Sequence, residues 1–170
     1  MDWDAIGAIG EIVGAVGVIG SLAYLAVQIR KSDQTARANS LQALWDGARD
    51  RSFNPNFTDR EVGDLFARGL SNFDALDSSD KRRFFWLFAE HVFQAQQAFD
   101  LFESKLIAKL DYEAWIYYTA TLLQTPGGKQ VWPFVENTIT PNIKTVLNEF
   151  LRDNPDTPSW TELNPFFREE

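Results

Sequence analysis

Ala5 to Ile29 reads AIGAIGEIVGAVGVIGSLAYLAVQI, and the class of the whole chain turns on how this stretch is read. Glu11 is its one ionisable group of ordinary charge, and the uninterrupted apolar part runs from Ile12 to Ile29. As a helix that part spans roughly 27 Å, close to the roughly 30 Å of bilayer hydrocarbon. Apolar side chains fall all round such a helix, so it has no polar face to turn to water. The start is acidic, with Asp2 and Asp4, and Arg30-Lys31 follows the run. A cleaved secretory signal has the opposite order, a positive start and a small-residue cleavage site. The segment is therefore expected to stay on the protein as a transmembrane anchor over residues 1–31.

All 16 Lys and Arg residues lie beyond Ile29, and Arg30, Lys31 and Arg37 would sit beside the membrane. The positive-inside rule then predicts an inner-membrane protein with its N-terminus outside, in the periplasm, and its C-terminal domain in the cytoplasm. Trp3 is expected at the outer interface and Tyr24 nearer the inner one, with Arg30 and Lys31 at the headgroups. Glu11 stands at the edge of the apolar run, where it reads either as an interfacial carboxylate or as a functional intramembrane group.

Gly7, Gly10, Gly14, Gly17 and Ser21 repeat at alternating spacings of three and four, which places them on one stripe of a helix. Gly10 to Gly14 is a GxxxG. Small residues let two helix backbones approach closely in lipid, where packing must supply what hydrophobicity supplies in water. The stripe predicts a docking face for a membrane protein complex or for a second copy of the chain. The plain alternative is that glycine is common in membrane helices.

Behind the anchor, a cytoplasmic domain is expected over 32–153 and an irregular aromatic tail over 154–170. Leu41, Leu44, Trp45 and Ala48 keep helical spacing, and Asn54-Pro55-Asn56 stops that helix. Thr58-Asp-Arg-Glu61 reads as a capping box for a helix to about Asn72. Asp77 opens the longest soluble helix, to about Leu106, with Phe85, Phe88, Val92, Ala95, Phe99 and Phe102 on one face. A second row, with Phe84, Leu87, His91 and Ala98, widens that face until the other helices can pack around it. Asp111 reads as the N-cap of the next helix, with Pro126-Gly127-Gly128 ending it. A short helix disturbed by Pro133 then precedes one opened by Thr140-Pro141 and running to about Arg152. The expected fold is all-α: one transmembrane helix, then a small antiparallel bundle of about five to six helices.

The rest of the composition mostly excludes. A net charge of −8 repels polyanions, so no nucleic-acid partner is expected. The absence of Cys removes disulfides, thiolate catalysis and cysteine metal sites, and it suits a reducing compartment. Glu90, His91, Gln94 and Gln97 form the one polar cluster in the aromatic helix. A di-iron carboxylate site needs Glu-x-x-His motifs from two helices, and this chain has a single His. A Ser–His–Asp set would have to draw on the same His from a Phe-packed helix. Gly127-Gly128 lacks the residues that follow in a phosphate-cradling loop. Asp100 and Glu103 read as a solvated helix face. No catalytic, cofactor-binding or metal-binding residue is assigned.

The IGEIVGAVGVIGSLAYLAVQIR stretch with Gln28-Ile29-Arg30 at its end carries a resemblance, as do the Phe-rich helix from Phe84 to Phe102, Leu110 to Trp115 (LDYEAW) and Pro126-Gly127-Gly128 with Trp132. Together, up to about Leu151, they resemble a widespread family of uncharacterised bacterial proteins with one N-terminal membrane span and a helical cytoplasmic domain. The resemblance implies a bitopic helical membrane protein and supplies no activity. The leading expectation is a non-catalytic accessory or scaffold subunit docked through the glycine stripe. A self-associating homo-oligomer is the second, and a helical enzyme or small-molecule binder with a site near His91 the third.

Overall fold

The computed structural model describes the backbone of residues 3–53 and 58–167, and the side chains of 10–11, 13–51 and 58–167. Among these residues there are seven α-helices and no strand. The chain divides into two compact units, Met1–Asn39 and Ser40–Glu170.

The first unit is the greater part of one long helix, α1 (Trp3–Ala48). Its apolar side chains from Val13 to Ile29 are all exposed. Polar side chains along it bond within the helix: Ser21 Oγ donates to the Gly17 carbonyl at 2.8 Å, and Arg37 pairs with Asp33 at 3.1 Å. Among the described residues this is the helix long and apolar enough to cross a membrane. As the sequence predicts, α1 continues past the apolar run without a break, and a π-helical turn (Arg49–Phe53) follows it. The Asn54-Pro55-Asn56 stop lies outside the described residues.

The second unit is built around α3 (Ser78–Glu103), which touches α2 (Arg60–Ser71), α4 (Lys109–Leu123), α5 (Pro126–Val135) and α6 (Pro141–Asp153). Asp77 caps α3 by accepting from the Ser79 and Asp80 amides at 2.7 and 2.9 Å, which holds its carboxyl below the usual range. Phe84, Phe88, Val92 and Ala95 are fully buried along it and meet Leu65 and Leu70 of α2, Leu122 of α4, Val131 of α5 and Ile143 and Leu147 of α6. A smaller cluster joins Leu44 and Ala48, at the end of α1, to Ala98, Ile107 and Trp115.

Several boundaries differ from the expected ones. The cap of α2 is Asp59, not Thr58: its carboxylate accepts from the Glu61 and Val62 amides. Helix α3 ends at Glu103 rather than near Leu106. Lys105 takes a left-handed φ of 58°, and the Lys105 and Leu106 amides bond back to Phe102 and Leu101 at 2.8 Å. This is a Schellman ending with Lys where glycine is usual. Helix α4 begins at Lys109 after Ala108, so Asp111 lies in its first turn, near the positive end of the dipole, instead of capping it.

Pro126-Gly127-Gly128 does not end a helix but opens α5. Thr125 caps it, accepting from the Gly128 amide at 3.0 Å, with Pro126 at the first position. The glycines are there for packing: a Cβ on Gly127 would run into the Gly69 carbonyl of α2, and one on Gly128 into the Leu122 carbonyl. Pro133 is accommodated in the last turn of α5. The segment expected to be an irregular tail carries a short helix, α7 (Trp160–Leu163), held by a Ser159–Glu162 capping box, and Ser159 and Thr161 are buried. That segment belongs to the second unit, because Trp160 stands edge-on to Tyr118 of α4 at 5.3 Å.

Candidate functional site

Two places stand out: the small-residue stripe of α1, and the aromatic surroundings of His91. Gly10, Gly14, Gly17 and Ser21 lie in α1 with exposed surroundings. A Cβ built on Gly10, Gly14 or Gly17 meets nothing within 4 Å, and the same holds for Gly20. Within the first unit these glycine positions are open. Ser21 closes its end by bonding to Gly17, which leaves no hydroxyl proton reaching outward. Gly7 and Trp3 belong to α1, but their surroundings lie outside the described residues. Glu11, Arg30 and Lys31 are exposed on the same helix, flanking the apolar run on its two sides.

The contrast with the second unit is physical. Gly69 and Gly127 are occupied glycines, crowded by Phe84 and by helix backbone, whereas those of the stripe are open. Open glycines in a helix interior carry an entropic cost with no packing return in this chain, roughly 1 kcal/mol each relative to Ala.

His91 lies in the core, 1% exposed, between Phe66 and Tyr118. Its Nδ1 is 2.8 Å from the Tyr118 hydroxyl. Burial pushes the imidazole down to about 3 and the phenol up, so both are neutral across the physiological range. Which of the two donates across that bond is set by the tautomer of the neutral imidazole. Of the cluster noted in the sequence, Gln94 is buried beside His91. Glu90 instead turns outward to Arg51, at 3.3 Å. Among the described residues, no group of three or more His, Cys, Asp or Glu side chains is gathered as a metal ion would require.

Tyr118 itself was not legible as a partner of His91, because 27 positions separate them and only the packing of α4 on α3 joins them. On its outer side Tyr118 meets Trp115, which in turn meets Trp45 of α1. The spacing of Trp115 and Tyr118, one helical turn apart, is the signal that could have placed them on one face. No family model, curated protein or solved structure matches the chain.

Proposed function

We propose that the chain is a non-catalytic, single-span membrane subunit, an accessory or scaffold that docks laterally on a larger membrane protein through the Gly7–Gly10–Gly14–Gly17–Ser21 stripe. The observation that carries this reading is the open stripe: small residues aligned on one face of an apolar helix, with open space where a Cβ on Gly10, Gly14 or Gly17 would stand in the first unit. Such a face gains from a second helix at close range and from little else.

In this reading Ile12 to Ile29 crosses the inner membrane of a bacterial cell. Met1 lies on the periplasmic side, and the helices after α1 form a small antiparallel bundle in the cytoplasm. The exposed Arg30 and Lys31 after the apolar run support that orientation. Kinship with the single-span bacterial family described above belongs to the same proposal. A nucleic-acid partner is not part of it, since the chain carries a net charge of −8.

Purification from native membranes in mild detergent tests it. Recovery of one larger membrane protein at fixed stoichiometry is the expected result. A homogeneous homomer would replace the accessory role with self-assembly through the same stripe. A monomer without partners would overturn both.

A further inference from the structure

Two grooves on the second unit carry opposite charge. The first, of about 420 Å³, is bounded by the start of α3, the turn at Phe73–Ala75 and the end of α5. Trp86 and Phe134 border it and are each 59% exposed, in a unit that buries Phe84 and Phe88 completely. Arg82 and Trp86 stand one turn apart on the same strip of α3, with Lys81 beside them. The neighbouring Arg68 and Arg83 are held by Asp80 and Glu61, at 2.8 and 2.6 Å. Lys81 and Arg82 are in no ion pair among the described residues, and Asp74 is the one carboxylate lining this groove. The second groove, of about 430 Å³, lies between α4 and α6. Tyr117, Val146 and Phe150 supply apolar lining, and Glu113, Glu149 and Asp153 supply charge, with no Lys or Arg among them. Lys109 and Arg152 pair with Glu113 and Asp153 at 3.3 and 2.9 Å, on exposed side chains where such pairs are worth little. Glu149 is in no ion pair among the described residues.

We propose that these grooves are the two halves of one contact, the occupant of each being a second copy of the chain. The Lys81–Arg82–Trp86 strip of one copy seats in the α4–α6 groove of the next. Trp and Arg are the side chains that most often anchor an interface, and the acidic groove offers them apolar walls and carboxylates together. In a chain of net charge −8, an unpaired cationic strip is the exception, and its complement is present on the same unit. The contact is head-to-tail, so it closes a ring or extends a row of copies. It does not rest on the glycine stripe, which belongs to the other unit.

The test uses the full chain in maltoside micelles, with Gly14→Ile in every sample to remove association through the stripe. Sedimentation follows protein mass against concentration, and melting curves check each fold. The parent chain should self-associate. Reversing the strip (Lys81→Glu with Arg82→Glu) or the groove (Glu149→Lys with Asp153→Lys) should weaken association at least about tenfold, since like charges then face each other. Trp86→Ala should weaken it as well. Association should return when the two reversed chains are mixed, and in a chain carrying both reversals. Unchanged mass in either reversal, or no recovery on mixing, overturns the contact. A monomeric parent also overturns it. If the strip reversal then loses a larger protein recovered from native membranes, the strip belongs to that partner instead.

Discussion

Gly127 approaches Gly69 so closely that a methyl group on Gly127 would occupy the space of the Gly69 carbonyl oxygen. Helices α2 and α5 can touch there only because Gly127 lacks a side chain, while the missing side chain of Gly69 makes room for the Phe84 ring of α3. Gly127→Ala should therefore cost about 3 kcal/mol of stability, since backbone cannot move aside as a side-chain end can. Gly10→Ala has open space and should cost nothing in the isolated chain. Denaturant unfolding of the two variants in the same detergent measures the contrast, and similar losses would contradict it.

The His91–Tyr118 pair makes stability depend on pH at both ends. His91 is held at about 3 in the folded chain, against 6.5 when unfolded, because burial disfavours the imidazolium. Between those values the unfolded state binds the extra proton. Stability should thus fall as pH drops from about 6.5 towards 3, by up to about 1.4 kcal/mol per pH unit from this residue. Tyr118 acts in the opposite direction: its phenol is raised above 10, so stability should fall as the unfolded phenol ionises above that pH. The difference in unfolding free energy between wild type and His91→Phe, measured from pH 4 to 7, isolates the acid limb. A difference that does not change with pH would contradict it.

Lys105 holds a left-handed φ of 58° at the end of α3. Lys105→Gly removes the steric cost of that conformation and should stabilise the chain by roughly 0.5–1 kcal/mol, after allowing for the greater freedom of glycine in the unfolded state. A loss of stability on denaturant unfolding would mean that the Lys105 side chain contributes something beyond its backbone.

These positions also mark where sequence reading stopped. The all-helical class, the continuous α1 and the central role of α3 were legible, because apolar spacing and the Asp77 cap are local signals. The end of α3 was not, since a lysine fills the place that glycine usually signals. Gly127-Gly128 reads as a stop in the sequence because the need for Gly127 lies in α2, far away in sequence, while Gly128 makes room for the Leu122 carbonyl at the end of α4. Ser159 and Glu162 spelled a capping box in plain view, hidden by the prolines around it. At the candidate site the small-residue stripe was fully legible, being periodic. The pairing of His91 with Tyr118 and the contact of Trp45 with Trp115 depend on the packing of helices against one another, which no local pattern encodes.

Membrane residence has its own check. With its apolar side chains exposed from Val13 to Ile29, α1 should keep the natively expressed protein in the membrane fraction through carbonate extraction. Recovery in the supernatant would require the apolar helix to be covered by protein instead of lipid.

The stripe itself is tested most directly by moving one bulky side chain around α1. Gly14→Ile places a β-branched group on the stripe, and Ala23→Ile places the same group about half a turn away, where the exposed helix is equally open. Both substitutions make the span more apolar, so insertion should survive in each. Association, measured as partner recovered per tagged chain from mild-detergent extracts, should fall by at least about tenfold for Gly14→Ile and little for Ala23→Ile, because lost close packing is not repaid by hydrophobicity in lipid. Equal recovery from the two variants would contradict docking through the glycine face.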